Sequence, residues 1–339
     1  MADTTHKRTA ASLADVAEAA GVSKMTVSRV LRNTTGFSSE THTKVMEAVE
    51  KLGYVPNRLA AAFGTESATT LVGVCVPRLT NGLYGEVLES IDHTLSRFGY
   101  QTMIGANDKS PETEEQWLRT LLSWRPAGVI LTGRDHTPAT VDLIRGAGIP
   151  IIEIWDLNTT PLDVSVGFSH FDSGYEMGRH IAGKGRQRIG YVGTKSTSSS
   201  MNNARFAGFS KALGASGLEI VEAEHLEDRS CFYAGFYGTE NLLNRGSAID
   251  AIYFQDDTMA IGGLYFCRSK GLKVPTDIGI AGWGGMEAAS VLPLRLTTTA
   301  VSTHAVGKAA AEALVARLRG EPVEDVNIIP THLVPGATL

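Results

Sequence analysis

The sequence is poor in features that mark secreted and membrane proteins. Only Cys75, Cys231 and Cys267 carry thiols, and neither their odd number nor their spacing suits a disulfide framework or a metal site. No apolar run approaches the roughly 20 residues that a membrane span needs. The first 21 residues also lack the apolar segment of a secretory signal. We therefore expect a cytoplasmic protein, without a membrane partner, whose cysteines are core residues.

Basic charge is scarce overall, but it is unevenly distributed. The formal net charge of the 339 residues is −5. Residues 1–60 carry eight Lys or Arg against six Asp or Glu, a net charge of +2, which leaves −7 for the remainder. This asymmetry is compatible with a small nucleic-acid module on an acidic body. The length also predicts more than one compact domain.

Signatures of catalysis are missing. The loop GTKSTSSS at 193–200 follows a predicted strand, but it lacks the second glycine and the GK[ST] order of a phosphate-binding loop. We find no GxSxG elbow, no metal-ligand spacing and no pairing of a base with a nucleophile. The sequence therefore predicts no enzyme and no cofactor.

Short helices account for the start of the chain. Ser12 is a suitable N-cap for a helix over Leu13–Ala20, Gly21 permits a sharp turn, and Ser23 caps a second helix over Lys24–Leu31. A third helix follows, with one apolar face at Val45, Ala48, Val49 and Leu52. Helix, tight turn and helix in this order predict either a DNA-binding helix-turn-helix or a plain two-helix hairpin with solvated charges.

From Leu71 onward, apolar strands alternate with amphipathic helices. The predicted strands are LVGVCVP, YQTMIGA, AGVILTG, PIIEIWD, RIGYVGT, GLEIVEA, AIYFQ and DIGIAGW. This alternation predicts an α/β fold of parallel sheets covered by helices, in two lobes. Ligands of such sheets lie at the carboxyl ends of the strands. Those ends carry Asn81, Thr132, Arg134, Asp156, Asp256, Asp257 and Trp283.

The segments SLADVAEAAGVSKMTVSRVLRN and SSETHTKVMEAVEKLGYVPNRLAAAFG resemble the head and hinge of the lactose-repressor family of bacterial transcription regulators. The resemblance continues through IPIIEIWD, VGFSHFDSGYEMGRHIAGKGRQRIGYVG, ARFAGFSKAL, DDTMAIGGL and VPTDIGIAGW, so it covers nearly the whole chain. Within that family, SKMTVSRVLRN, GYQTM, LLSW, GVILTGRDHTP and DVSVGF are most similar to the gluconate-operon repressors.

The resemblance implies three parts. They are a helix-turn-helix head over residues 1–55, a hinge helix and linker over 56–70, and an effector-binding and dimerisation domain over 71–339 that is similar to periplasmic sugar-binding proteins. Its two lobes would span about 71–167 with 300–328, and 168–299 with 329–339. The implied assembly is a homodimer on a pseudo-palindromic double-stranded DNA operator.

The resemblance also implies a DNA-binding residue set. The expected head contacts are Ser23, Lys24, Met25, Thr26, Ser28 and Arg29. The expected hinge contacts are Asn57, Arg58, Ala60 and Phe63. Phe63 stands where relatives have a leucine that wedges between bases. It either acts as a wedge itself or packs between two hinge helices.

The implied effector pocket lies between the lobes. Its expected residues are Asn81, Tyr84, Thr132, Arg134, Asp156, Phe168, Arg205, Asp256 and Trp283. The fork of Arg205 suits a carboxylate, and the alternative is a surface ion pair. Phe168 and Trp283 are either pocket walls or core residues. Asp257 either contacts the ligand or caps the helix TMAIGGL. His136 and His170 could join the pocket, but a single histidine at a strand end is more often a structural residue.

One departure from the family pattern points to the kind of effector. Many sugar-responsive relatives have an aspartate after IAGW, where this chain has Gly284 and Gly285. A carboxylate there would repel an anion. Its absence favours a sugar acid such as gluconate or a keto-gluconate. We therefore expect a repressor of sugar-acid genes; the rival hypotheses are a solute-binding protein for a neutral sugar without a DNA-binding role, and an α/β enzyme.

Overall fold

A computed structural model describes residues 11–31, 35–55, 69–108, 110–157, 160–195, 200–227 and 231–339 of the chain. The chain divides into two compact units, residues 1–69 and 70–339. No helix in the described ranges is both long and apolar enough to span a membrane.

The first unit contains three helices in its described part, namely α1 (Leu13–Ala20), α2 (Lys24–Leu31) and α3 (Ser39–Leu52). Ser12 and Asp15 form a capping box at the start of α1, because each side chain accepts a hydrogen bond from the other residue's backbone. Gly21 ends α1 with a φ of 65°, a left-handed conformation that favours glycine. The two expected helices and the tight turn between them are confirmed.

The core of this unit is small and aliphatic. Its central side chains are Val16, Val27, Val30 and Val45, each at most 3% exposed. On the expected apolar face of α3, Val45 and Ala48 are buried and Val49 is partly buried, whereas Leu52 is 37% exposed. Leu52 is the last residue of the 14-residue helix α3. The helices α1 and α2 have only eight residues each, so they do not cover the end of α3 completely.

The second unit contains two six-stranded sheets. The first lobe has the order β11-β5-β4-β3-β1-β2, and all its strands are parallel. Its strands are β1 (Leu71–Val76), β2 (Gln101–Ala106), β3 (Gly128–Thr132), β4 (Ile151–Ile154), β5 (Val164–Gly167) and β11 (Val326–Ile328).

The second lobe has the order β12-β10-β9-β8-β6-β7, in which only β12 runs antiparallel to its neighbour. Its strands are β6 (Ile189–Thr194), β7 (Ile220–Leu226), β8 (Ala251–Phe254), β9 (Gly279–Gly284), β10 (Thr297–Val301) and β12 (Thr331–Val334). The expected α/β fold of two layered lobes is confirmed.

Helices cover the faces of both sheets. Those of the first lobe are α4 (Gly82–Arg97), α5 (Pro111–Leu122), α6 (Pro138–Ala147) and α12 (Thr303–Leu318). Those of the second lobe are α7 (His170–Gly183), α8 (Ser200–Ala215), α9 (Phe232–Asn244), α10 (Asp257–Ser269) and α11 (Glu287–Val291). The chain passes between the lobes after β5, after β10 and after β11.

Two of the three cysteines are core residues, as expected. Cys75 and Cys267 are fully buried, whereas Cys231 is only partly buried. The sulfur of Cys231 instead accepts a hydrogen bond from the backbone N–H of Ala234 and so caps α9.

Candidate functional site

The first candidate site is the exposed face of α2. Val27 and Val30 turn into the core, which leaves Lys24, Met25 and Arg29 on the solvent side. The side chain of Met25 is 64% exposed. Lys24 and Arg29 give this face a positive charge, and the first turn carries no acid. Such a face suits a helix that enters the major groove of DNA.

Two hydroxyl residues hold the start of α2. The hydroxyl of Ser23 accepts a hydrogen bond from the backbone N–H of Thr26 at 3.1 Å and lies 2.9 Å from the Thr26 hydroxyl. Ser28 is half-buried on the same helix. The hinge predictions for Asn57, Arg58, Ala60 and Phe63 lie outside the described residues.

The second candidate site is a cavity at the carboxyl ends of the strands, between the two lobes. Tyr84 and Thr132, two of the expected effector residues, line it. Further polar lining comes from Asn107, Glu114 and Asp135 of the first lobe and from Asn202 of the second. These last four were not predicted, because each becomes part of the site only through the packing of elements distant in sequence.

Arg205, on α8, is only 4% exposed and is linked to this cavity through Asn202, which lines it. Its guanidinium donates to the Asn202 side-chain oxygen at 2.9 Å and to the Gln255 carbonyl oxygen at 3.1 Å. It also stacks on Trp283, with 3.9 Å between the guanidinium carbon and the ring centroid. The alternative of a surface ion pair is therefore wrong, because the side chain is buried.

His170, at the start of α7, is a further partner of Arg205. Its Nδ1 lies 2.9 Å from Nη1 of Arg205, and its Nε2 lies 3.1 Å from the Trp155 carbonyl oxygen. Burial, followed by the positive charge of Arg205, lowers the pKa of His170 well below 6.5. The neutral ring thus donates a hydrogen bond from Nε2 and accepts one at Nδ1. The three hydrogen-bond partners of Arg205 named here, His170, Asn202 and the Gln255 carbonyl group, are therefore all uncharged.

An aromatic cluster fills the region beside Arg205. Trp155, Phe168 and Trp283 pack edge to face or tilted, with centroids 5.5 to 6.5 Å apart. Phe168 is 2% and Trp283 is 4% exposed. One face of Trp283 is covered by Arg205, and its indole N–H donates to Ser173. Of the two alternatives, the structure favours core residues over open walls.

The remaining expected residues have structural partners. The carboxylate of Asp156 forms an ion pair with Arg134, with 3.3 Å between Oδ2 and Nε. Burial raises the pKa of this carboxyl group, and the charge of Arg134 opposes that effect. The side chains of Asn81 and Asp256 cap α4 and α10, where they accept hydrogen bonds from the backbone N–H groups of Leu83 and Met259.

Asp257 does not have the capping role that the sequence suggested. The cap of α10 is Asp256, and Asp257 is the first helical residue. The buried Asp257 carboxylate instead accepts from the Thr298 hydroxyl at 2.6 Å and from the Met286 backbone at 2.9 Å. Burial raises its pKa to about 6. It therefore ties α10 to β10 and to the segment that follows β9.

His136 bridges two buried carboxylates under the cavity. Its ring contacts Glu114 of α5 through Nδ1 and Glu153 of β4 through Nε2, and all three side chains are at most 4% exposed. Burial lowers the pKa of His136, but the two carboxylates outweigh burial and raise it to about 9. The ring is an imidazolium at neutral pH, which makes His136 a structural ion-pair residue.

Gly284 and Gly285 adopt backbone conformations that disfavour any side chain. Their φ angles are 126° and 73°, in the range that favours glycine. A Cβ atom added to Gly284 would lie 2.8 Å from Leu83 of the first lobe, and one added to Gly285 would lie 2.5 Å from Ala300. The local backbone itself therefore disfavours an aspartate here.

Comparisons with known proteins agree with this architecture. Residues 12–57 match the family model described as bacterial regulatory proteins, lacI family, and residues 69–336 match that of periplasmic binding proteins and sugar binding domain of LacI family. The HTH-type transcriptional regulator GntR of Escherichia coli K12 is 35% identical over 327 residues, which cover 96% of each chain. The HTH-type transcriptional regulator IdnR of that organism is 30% identical over 91% of this chain and 92% of its own.

Solved structures extend the likeness to the fold. A LacI-family transcriptional regulator from Silicibacter pomeroyi has a TM-score of 0.92 and 38% identity, covering 97% of this chain and 99% of its own. A lac repressor dimer bound to operator and an anti-inducer has a TM-score of 0.83 and 26% identity, with the same coverage of 97% and 99%.

Proposed function

The chain belongs to the LacI family of DNA-binding transcriptional regulators, and from that premise we propose that it represses genes for the uptake or catabolism of a sugar acid. A small acid such as gluconate or a keto-gluconate would bind between the lobes and switch its affinity for operator DNA. The observation that carries this choice of effector is Arg205, a buried cation whose described hydrogen-bond partners are all neutral.

The head reads operator DNA through α2. Lys24 and Met25 lie at the start of the helix, and Arg29 lies one turn beyond Met25 on the exposed side. A guanidinium in the major groove suits the two acceptors of guanine, while short hydroxyl residues suit phosphate. We therefore assign base contacts to Lys24, Met25 and Arg29. Phosphate contacts go to Ser23, Thr26 and Ser28, and the hinge contacts to Asn57, Arg58, Ala60 and Phe63.

The charge around Arg205 supports an anionic effector. A buried charge is costly without a counter-charge, and its neutral partners supply hydrogen bonds but no charge. A carboxylate that entered from the cavity and replaced one of these neutral partners would supply it through a charge-assisted hydrogen bond. The glycines at 284 and 285 are compatible with the same proposal, because no acidic side chain stands there to oppose such a ligand.

The switch operates through the two lobes. An effector shifts the protein only if it binds one lobe arrangement more tightly than another. The three chain crossings between the lobes are the places where such a movement would be absorbed. A change in lobe arrangement alters the spacing of the two hinge segments in a dimer, and therefore the fit of the two heads to the operator.

A homodimer provides the two heads that a pseudo-palindromic operator needs. The described surface carries a group of exposed aromatic side chains on the adjacent helices α9 and α10, namely Phe232, Tyr233, Tyr237 and Tyr265, at 48% to 74% exposure. Clustered exposed aromatics are typical of association surfaces. We assign this group, the α9–α10 aromatic patch, to contact with a second copy of the chain.

Isothermal titration calorimetry tests the effector. Gluconate and 2-keto-gluconate should bind, while sorbitol, the neutral open-chain counterpart of gluconate, and glucose should bind at least about 100-fold more weakly, because they leave Arg205 without a counter-charge. Arg205→Lys keeps the positive charge but replaces the planar guanidinium with an ammonium group, so it should weaken gluconate binding. The exposed Arg179→Lys is the matched control. Tight binding of glucose with no binding of either acid would refute the sugar-acid assignment.

A further inference from the structure

Asp135 joins the two lobes at the edge of the cavity. It follows β3 in the first lobe, and its Oδ2 accepts hydrogen bonds from the backbone N–H of Ser200 at 3.1 Å and from the Ser200 hydroxyl at 3.0 Å. Ser200 is the first residue of α8 in the second lobe. The Asp135 carboxylate therefore lies at the positive end of a helix that belongs to the other lobe.

The loop around Asp135 is anchored in the first lobe. The next residue, His136, is the imidazolium held between Glu114 and Glu153. Thr137 caps α6 and donates its hydroxyl hydrogen to Glu115 at 2.7 Å. Because both following residues are tied into the first lobe, the position of the Asp135 carboxylate is fixed by that lobe.

The start of α8 also leads to Arg205. Asn202, in the first turn, lines the cavity together with Asp135 and accepts a hydrogen bond from Arg205. The lobes approach closely here, since a Cβ atom added to Gly133 would lie 3.3 Å from Met201. Asp135 thus lines the cavity next to two features attractive to an anion, the start of α8 and, through Asn202, Arg205.

We propose that Asp135 is a specificity-determining residue of the effector cavity, a tethered carboxylate that holds the start of α8 when the cavity is empty and competes with an acidic effector for it. This inference rests on the proposed sugar-acid function. Binding of the acid displaces Asp135 from Ser200, which removes a hydrogen-bonded link between the lobes. Asp135 therefore lowers the affinity for anions and couples their binding to lobe movement.

The test is calorimetric titration of the full chain with gluconate. Asp135→Asn keeps an oxygen that accepts from Ser200 and removes the charge, so it should bind gluconate roughly threefold to tenfold more tightly than the unaltered protein, as expected for loss of one partly screened like charge. The gain should shrink at high ionic strength. Asp142→Asn, which replaces an exposed carboxylate on α6 of the same lobe, is the control and should leave binding unchanged.

The outcomes separate this inference from the proposed function. Equal or weaker gluconate binding by Asp135→Asn would mean that Asp135 is only a structural link, and the sugar-acid function would stand. An equal gain for neutral sorbitol would also overturn the inference, because the effect would not depend on charge. If neither protein bound any sugar acid, both proposals would be wrong.

Discussion

At the scale of single residues, two cationic side chains carry the proposed function, and they occupy opposite environments. Arg29 is exposed on a helix whose other side is packed, whereas Arg205 is buried among neutral acceptors. Exposure leaves Arg29 available to a large, hydrated partner such as DNA. Burial restricts Arg205 to a small ligand that enters the cavity.

Replacing Arg29 tests the direction in which α2 enters the groove. Arg29→Ala should cost about 1 to 3 kcal/mol of operator affinity at one base position and relax the preference there, because a bidentate base contact is lost. Binding to a set of single-base operator variants measures this. A uniform loss across all variants would instead identify Arg29 as a phosphate contact.

His136 makes the stability of the second unit depend on pH. Its pKa of about 9 in the folded protein lies above the 6.5 of an unperturbed histidine. The resulting stabilisation, about 3 kcal/mol at most, is fully present below pH 6.5 and is lost as the pH rises through 9. Chemical unfolding between pH 6 and 10 should show this decline, and His136→Gln should remove it.

The matched control for this pH effect is His93→Gln, which replaces an exposed histidine of α4. It should keep the decline of the parent protein. If His136→Gln and the parent protein lost stability in parallel between pH 7 and 10, the ion pairs of His136 with Glu114 and Glu153 would not be the cause.

At the scale of secondary-structure elements, close helix contacts depend on glycine. A Cβ atom added to Gly262 of α10 would lie 2.1 Å from the Phe232 carbonyl oxygen of α9, and one added to Gly235 of α9 would lie 1.9 Å from the Met259 carbonyl oxygen. Both clashes involve backbone, which cannot move aside without separating the helices. The α9–α10 pair is therefore held at a distance that only glycine permits.

Gly262→Ala should destabilise the second unit by about 1 to 3 kcal/mol, because the added methyl group overpacks the α9–α10 contact. Gly214→Ala on α8 is the control, because a Cβ atom added there would have no neighbouring atom within 4 Å. That change should be neutral or slightly stabilising through helix propensity. Urea denaturation measures both, and equal effects would refute the role assigned to the close contact.

The sequence predicted the strands that are strongly apolar and the helices that begin at a clear capping residue. The turn between α1 and α2 and eight strands were predicted, whereas β5, β10, β11 and β12 were missed. β10 reads TTTAV, and its three threonines are buried. The Thr298 hydroxyl donates to Asp257, and the Thr297 hydroxyl accepts from the backbone N–H of Gly336. Such partners are supplied by tertiary structure, so hydrophobic pattern alone does not reveal the strand.

The same limit applies to the site. Arg205 and the strand-end residues were identified from family resemblance and position. The interaction of Asp135 with Ser200 joins residues 65 apart in sequence, and the bridging of Glu114 and Glu153 by His136 joins three separate elements. No local pattern encodes these pairings. They follow from the packing of α5, β4 and α8 around the cavity.

At the scale of the whole molecule, association through the α9–α10 aromatic patch should determine the oligomeric state. Tyr237→Arg, at a side chain 53% exposed, places a charge in the proposed interface and should shift dimers to monomers by at least about tenfold in dissociation constant. Trp124→Arg, at a side chain 43% exposed outside the patch, should have no effect. Sedimentation equilibrium measures both, and an unchanged dimer in Tyr237→Arg would locate the interface elsewhere.

The central claim is that a sugar acid controls binding to a specific operator. Fluorescence anisotropy of a labelled pseudo-palindromic sequence from the gene's own upstream region, with and without gluconate or 2-keto-gluconate, tests it most directly. The account predicts salt-sensitive, sequence-specific binding whose affinity changes when either acid is added, while sorbitol has no effect. Specific binding that neither acid alters would contradict the proposed effector, and binding without sequence preference would contradict the proposed operator recognition.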